Sequence, residues 1–161
     1  MIKIELKDHS DYVEYINYVY TNTQYIEYVV LENDDNKIKN VMNYFDKNNI
    51  ISKNVRSWKG TASSGRRNQM YKFYADGEFK NILLNFENFF IIEKKEIPNN
   101  LIACKLRKTS WSISDIAFYD KKGEIVSFVI AHEGEVLVSP KYINKLKHLI
   151  INDDNYIFGI R

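Results

Sequence analysis

The chain has 161 residues, 45% of them hydrophobic and 14% aromatic, which predicts one domain, residues 1–161, with a single sizeable core. Its 23 basic and 21 acidic residues leave a net charge of +2, which argues against nucleic-acid binding through bulk charge. The single cysteine, Cys104, excludes an intramolecular disulfide and a zinc site built from several thiolates.

No stretch of the sequence approaches the roughly 18 consecutive apolar residues that a membrane helix requires. The amino terminus, Met1–Asp8, alternates apolar and charged residues and lacks the continuous apolar stretch of a signal peptide. Together with the lone cysteine, these features predict a cytoplasmic protein without membrane contact.

The first third of the chain predicts two strands and two helices. Met1–Lys7 has the period of two that indicates a strand with one buried face. Ser10 is the predicted N-cap of a helix whose apolar residues recur at helical spacing. Tyr25–Leu31 is β-branched and aromatic enough for a strand, and a second amphipathic helix is predicted over Asp35–Lys47.

The middle of the chain is less regular. Ser52–Gln69 shows no clear period, whereas Met70–Tyr74 is typical of a short strand. Apolar residues from Phe79 to Phe90 then follow helical spacing and predict a core helix. Leu101–Leu106 is a candidate short strand.

The carboxy-terminal third predicts a β-meander with strands at Ile113–Tyr119, Glu124–Ala131 and Glu135–Val138. Pro140 begins a predicted short helix, and Tyr156–Ile160 is a candidate edge strand. Helices early and antiparallel strands late predict an α+β fold. In this fold a mostly antiparallel sheet, with the C-terminal β-meander, carries about three helices packed on it.

The first predicted helix contains four tyrosines, Tyr12, Tyr15, Tyr18 and Tyr20, which spread around the helix and do not share one stripe. This distribution predicts that some of them face outward. Exposed aromatic side chains of this kind favour contact with a protein partner.

An imidazole and two carboxylates crowd the predicted hairpin loop of His132, Glu133 and Glu135. Such groups suit acid–base or metal chemistry, but the spacing of two histidines four apart on a helix is missing. A structural or partner-contacting role is therefore favoured over an enzymatic one. No Gly-x-Ser-x-Gly elbow is present and Cys104 lies in an apolar run, so the sequence predicts no catalytic residues.

Basic residues and one tryptophan surround the loop 60–65. They are Arg56, Trp58, Lys59, Arg66 and Arg67, and they include three of the five arginines of the chain. Arginine forks and glycine backbone suit phosphate or carboxylate recognition, and an adjacent tryptophan can anchor a partner. Arg66 and Arg67 occupy the lysine and hydroxyl positions of a phosphate-binding loop, so nothing there would hold magnesium. A solvated connection without a binding role remains the alternative.

The block Trp111–Asp120, followed by Ile130–Gly134, resembles small bacterial immunity proteins, the cytoplasmic inhibitors that protect a cell from a polymorphic or contact-dependent toxin. The resemblance covers about a quarter of the chain. It implies a non-enzymatic α+β inhibitor that blocks a cognate toxin, often a nuclease, in a tight heterodimer. Inhibitors of basic nucleases tend to be acidic, and the net charge of +2 departs from that pattern.

The sequence therefore predicts a non-catalytic, protein-binding inhibitor with no cofactor and no metal. Its predicted partner is a cognate protein toxin, and its oligomeric state stays open. The predicted partner-binding residues are Arg56, Trp58, Lys59, Arg66, Arg67, His132, Glu133 and Glu135. The alternative is an RNA- or nucleotide-phosphate-binding module that uses the Arg56–Arg67 loop.

Overall fold

The fold is that of a computed structural model, which describes residues 1–30, 38–58, 61–62, 68–86, 89 and 115–151. Within these residues nine β-strands and three α-helices follow one another along the chain. They are β1 (Ile2–Ile4), α1 (His9–Thr21), β2 (Tyr25–Val30), α2 (Lys39–Lys47), β3 (Ser52–Val55), β4 (Ser57–Trp58), β5 (Thr61–Ala62), β6 (Asn68–Tyr74), α3 (Gly77–Leu84), β7 (Asp115–Tyr119), β8 (Ile125–Ile130) and β9 (Glu135–Val138). Short 3₁₀ helices cover Ala131–Glu133, Pro140–Tyr142 and Asn144–Leu149.

Seven of the described strands form one antiparallel sheet in the order β1-β9-β8-β7-β2-β6-β3. Strands β4 and β5 pair separately as a two-residue hairpin. The order confirms the α+β fold and the predicted meander, since β7, β8 and β9 are neighbours in sequence and in the sheet. No helix in the described part of the chain has the length and apolar character needed to cross a membrane.

The bounds of α1 and α3 differ from two predictions. Asp8, and not Ser10, caps α1, because its Oδ1 accepts the Asp11 N–H at 2.9 Å. Helix α3 ends at Leu84, well before the predicted Phe90, because the N–H of Phe86 turns back to the Leu83 carbonyl at 3.1 Å.

The region predicted to be irregular contains an edge strand, β3, which pairs with β6. Ser52, Lys53 and Asn54 are weak strand formers, so the local sequence does not predict this strand. Its backbone hydrogen bonds to β6 define it. The segment predicted as a short helix after Pro140 is helical, in the form of two 3₁₀ helices. The candidate strands 101–106 and 156–160 lie outside the described residues.

The three α-helices pack on one side of the sheet, the helix-covered face. Its core is strongly aromatic, with Phe79 in ring contact with Tyr28, Tyr44, Phe45 and Phe73 at centroid distances of 4.7–6.1 Å. Such edge-on and stacked pairs add about 1 kcal/mol each beyond the area they bury. This face therefore owes its stability to close apolar packing.

The tyrosines of α1 belong to this core, so the prediction that some face outward is wrong for three of the four. Tyr12, Tyr15 and Tyr20 are at most 8% exposed, and Tyr18 is half-buried. The Tyr12 hydroxyl donates to the Leu83 carbonyl and the Tyr15 hydroxyl bonds Ser127 Oγ, both at 2.6 Å. A buried hydroxyl with a partner costs little, which accounts for tyrosine at positions 12 and 15 of this helix.

Candidate partner-binding surface

The side of the sheet opposite the helices, the second face, carries its own buried cluster. The small hairpin of β4 and β5 brings Trp58 onto this face, where the indole is 7% exposed. The remaining buried members are Val29, Met70, Ala117, Tyr119, Phe128, Ile130 and Leu137. Trp58 therefore fixes the start of the basic loop to the sheet and leaves only a small part of its surface to a partner.

The carboxylate of Glu27 contacts three polar side chains of the second face. It accepts hydrogen bonds from the Tyr119 hydroxyl at 2.6 Å and the Trp58 indole N–H at 3.4 Å. The Lys72 ammonium lies 3.4 Å from its other oxygen, and the Glu27 side chain is 14% exposed. Burial, and next the hydrogen bond to Glu27, raise the pKa of Tyr119 above its ordinary value.

Glu27 was not among the predicted site residues, although its position within an apolar strand is a recognisable pattern. A lone carboxylate stands in the strand Tyr25–Val30, which is otherwise apolar or aromatic. A charged group is rarely buried without partners, so such a position indicates a buried ion pair or hydrogen-bond hub.

Several of the predicted partner-binding residues lie at one end of the sheet, which we call the loop end. Strands β3, β2 and β8 finish there, because Val55 pairs with Asn68, Val30 with Gln69, and Ile130 with Glu135. Arg56, which follows β3, and Glu133, which precedes β9, are both exposed.

The two predicted segments at the loop end are close enough for one partner. Four strand positions separate β3 from β8 in the sheet. At about 4.8 Å per strand, the two segments start roughly 19 Å apart. A standard protein interface of about 800 Å² per partner spans that distance.

The other predicted partner-binding residues differ in burial and in whether the structure describes them. Glu135 is half-buried and its Oε1 lies 2.7 Å from the Lys3 ammonium. The backbone of His132 lies in the 3₁₀ helix Ala131–Glu133, while its side chain lies outside the described part. Lys59, Arg66 and Arg67 also lie outside the described residues.

The other two histidines lie on the helix side of the molecule, where His148 Nε2 is 3.2 Å from a Glu14 carboxylate oxygen on α1. His9 stacks on Tyr12 at a centroid distance of 6.0 Å. Among the described residues no group of three or more histidine, cysteine or acidic side chains has the geometry to hold a metal.

The opposite end of the sheet, the turn end, carries a network that sequence analysis missed. Asp120 Oδ1 accepts the backbone N–H groups of Lys122 and Glu124, at 2.8 and 2.9 Å. Its Oδ2 accepts the Tyr142 hydroxyl at 2.6 Å and the Lys141 ammonium at 3.0 Å. The Tyr142 hydroxyl, supported by these other donors, holds the pKa of the Asp120 carboxyl below its usual range.

A polar pocket of about 300 Å³ opens beside this network. Its lining residues are Thr21, Asn22, Thr23, Gln24, Asp120, Lys121, Lys122, Lys141 and Tyr142. The pocket lies between the carboxy-terminal end of α1 and the turn that joins β7 to β8. The local charge is set by three lysines and one fully hydrogen-bonded aspartate.

Three tyrosines form a row across the second face at the turn end. Tyr25 of β2 pairs directly with Tyr74 of β6 on one side and with Tyr119 of β7 on the other. The rings of Tyr25 and Tyr119 stack at 5.2 Å, and the Lys72 ammonium lies 4.7 Å from the centre of the Tyr25 ring. Tyr74 is 72% exposed, so the row ends in an open aromatic side chain.

Comparison with protein-family models, with curated proteins and with solved structures gives no match for this chain. A function for it must therefore be argued from its own residues.

Proposed function

We propose that this protein is a non-catalytic inhibitor that acts in the cytoplasm by binding a cognate bacterial toxin in a heterodimer. The resemblance of Trp111–Asp120 and Ile130–Gly134 to immunity proteins supports this proposal. The observation that carries it is that two predicted partner-binding segments lie at the loop end of the sheet. Arg56 and Glu133 are far apart in sequence, yet both are exposed at the same end of one sheet.

The rigidity of the scaffold suits this role. The loop end is built on continuous antiparallel ladders, including six residue pairs between β2 and β6 and five between β2 and β7. The backbone of such strands loses little further freedom when a partner binds. Preorganisation of this kind raises affinity by lowering the entropic cost of association.

Charges of both signs are exposed at the loop end. Arg56 forms no ion pair within the described residues, and Glu133 is exposed at the same end of the sheet. Complementary charges across an interface act mainly on association rate and specificity. A toxin with an acidic group opposite Arg56 and a basic group opposite Glu133 would match the signs of these charges.

The proposal is tested by recovering the partner from a native lysate with the tagged protein and then measuring growth protection in cells that express the recovered toxin domain. We expect the wild type to restore growth and to bind the purified toxin domain with a sub-micromolar dissociation constant. The double variant Arg56→Glu with Glu133→Lys should raise that constant at least about tenfold, as calorimetry would measure.

A matched control carries the same charge changes on the helix side. Lys147 and Asp46 are both exposed, on the 3₁₀ helix Asn144–Leu149 and on α2. Lys147→Glu with Asp46→Lys should leave protection and affinity unchanged. Absence of protection, or a complex no tighter than about micromolar, would contradict the proposal.

A phosphate-binding function of the Arg56–Arg67 loop is the second candidate, favoured by the exposed and unpaired Arg56 in the described part of the chain. It expects binding of single-stranded RNA or a nucleotide that weakens steeply with salt. Arg66→Ala with Arg67→Ala should abolish that binding. Binding that is undetectable or independent of salt would remove this candidate.

A further inference from the structure

We infer that the turn end of the sheet is a second docking surface, which binds an acidic segment of a protein partner. The tyrosine–lysine surface, as we call it, consists of Tyr25, Lys72, Tyr74, Lys121 and Lys122. The inference rests on the proposed function only in requiring a protein partner. It does not require that partner to be a toxin.

These residues form one continuous surface. Tyr25 follows Gln24, which lines the polar pocket, and the Gln24 N–H donates to the Tyr119 carbonyl at 2.6 Å. The Tyr25 hydroxyl lies 2.8 Å from where a Cβ on Gly123 would stand, so the ring reaches the turn that carries Lys121 and Lys122. The tyrosine row and the pocket are therefore neighbours.

The acidic groups of the turn end are already occupied by donors of the protein. Asp120 accepts four hydrogen bonds, and Glu124 lies 2.5 Å from the Lys141 ammonium. Glu27 is held by Tyr119, Trp58 and Lys72. Such carboxylates have little capacity left to attract a cation from outside.

The positive charges of the two lysines in the turn are not balanced by a carboxylate among the described residues. Lys121 and Lys122 are exposed and form no ion pair with any described residue. Lys72 and Lys141 lie within ion-pair distance of Glu27, Asp120 and Glu124, so the positive charge left without an acidic partner among the described residues is that of Lys121 and Lys122. An anionic group is therefore the complementary ligand.

The pocket favours single carboxylates over phosphate. It contains no arginine fork, the group best matched to the several oxygens of phosphate, whereas the single ammonium groups of its lysines can each pair with one carboxylate. A volume of about 300 Å³ is at the small end of ligand sites, a size that suits one side chain. A glutamate or aspartate of a partner fits both conditions.

The tyrosine row favours a protein over a nucleic acid. Stacking of a base needs an open ring face, whereas the rings of Tyr25 and Tyr119 stack on each other and meet the Lys72 ammonium at 4.7 and 5.7 Å. Tyr74 adds an exposed aromatic side chain next to them. Tyrosine is among the residues enriched in protein interfaces and in their binding hot spots.

The test is an NMR titration of the full chain at low ionic strength, with a peptide of alternating glutamate and glycine as the probe. We expect the amide signals of Gln24, Lys121, Lys122 and Gly123 to shift. Lys121→Glu with Lys122→Glu should weaken binding at least about tenfold. Tyr74→Ala should weaken it about threefold.

The chain offers a matched control in a second exposed lysine pair, Lys145 and Lys147. Lys145 also lies beside a tyrosine, with its ammonium 5.8 Å from the centre of the Tyr18 ring. Lys145→Glu with Lys147→Glu changes the net charge equally and should leave peptide binding unchanged. Equal weakening in the control would overturn the inference, because binding would then follow bulk charge.

Two further outcomes would also overturn it: equal binding of the peptide with glutamine in place of glutamate, or tighter binding of single-stranded oligouridine at the same amides. The outcome is separable from that of the proposed function. Growth protection without peptide binding would remove this surface alone, whereas peptide binding without protection would remove the toxin and keep the surface.

Discussion

The helix-covered face and the second face of the sheet are both buried, but different interactions hold them. On the helix-covered face, Phe79 contacts four other aromatic rings and has no exposed surface. On the second face, Trp58, Tyr119 and Lys72 all depend on the Glu27 carboxylate. Packing is spread over many contacts, whereas the polar arrangement depends on one side chain.

The largest effect should come from emptying the aromatic core. Phe79→Ala removes a fully buried ring and leaves a cavity, so we expect the free energy of unfolding to fall by about 3–5 kcal/mol in urea denaturation. Tyr74→Ala, at a ring that is 72% exposed, is the control and should change it by at most about 0.5 kcal/mol. Similar losses in the two variants would mean that packing does not dominate this face.

The second face should respond to loss of one carboxylate. Glu27→Ala removes the carboxylate that accepts the Tyr119 hydroxyl at 2.6 Å, at an expected cost of about 2 kcal/mol. Glu27→Gln keeps an acceptor oxygen and should recover part of that loss. Trp58 fluorescence in a Trp111→Phe background reports the local change.

The control for Glu27 is an exposed ion pair on the other side of the molecule. Glu78, whose side chain is 48% exposed, lies 2.9 Å from the Lys47 ammonium. Glu78→Ala should cost no more than about 0.5 kcal/mol. A Glu27 variant as mild as this one would show that the second face does not depend on its carboxylate.

Alkaline pH should weaken the helix-covered face through its buried tyrosines. Burial raises the pKa of Tyr15 well above its unfolded value of about 10. Above pH 10 the unfolded chain releases a proton that the folded chain retains, so stability is complete below that pH and is lost above it. Each such tyrosine should contribute a slope of about 1.4 kcal/mol per pH unit.

Tyr15→Phe isolates that contribution. Between pH 10 and 11 its free energy of unfolding should fall by about 1 kcal/mol less than that of the wild type, and the difference in slope should approach about 1.4 kcal/mol per unit at higher pH. Below pH 9 the two slopes should agree, because tyrosine is protonated in both states, which provides an internal control. Parallel curves above pH 10 would show that the Tyr15 hydroxyl ionises as easily in the folded protein.

The smallest effect concerns the turn that supports the tyrosine row. Gly123 has φ +80°, and an added Cβ would stand 2.8 Å from the Tyr25 hydroxyl. Gly123→Ala should therefore cost about 1–2 kcal/mol in urea denaturation. Gly77→Ala, where nothing lies within 4 Å, should instead stabilise by roughly 0.5 kcal/mol. Equal effects would show that the turn tolerates a side chain.

The elements that could be predicted from the sequence are those with an undisturbed period. Strand β9 has the predicted bounds, Glu135–Val138, and the predicted turn at 120–123 carries a glycine with positive φ. The prediction failed where tertiary contacts decide. The helix stripe toward Phe90 breaks because Phe89 packs edge-on against Tyr12 and Tyr15, at 5.1 and 5.8 Å.

The candidate surfaces were only partly predictable, because they depend on strand order. Arg56 and Glu133 were identified individually, but only the sheet order places them at one end. The row of Tyr74, Tyr25 and Tyr119 likewise exists only through the register of three strands that are distant in sequence. No local period encodes such a neighbourhood.

The position of β1 at the sheet edge beside β9 has a consequence for synthesis on the ribosome. Lys3 and Glu135, which form an ion pair across these strands, are 132 positions apart. At 5–20 residues per second, β1 waits roughly ten seconds before its partner is made. A chain made only as far as β6 can pair β2, β6 and β3 of the sheet, while β1 lacks its partner β9 and the β2 edge stays open until β7 is translated. That open edge is the part of the unfinished sheet most exposed to pairing with another chain.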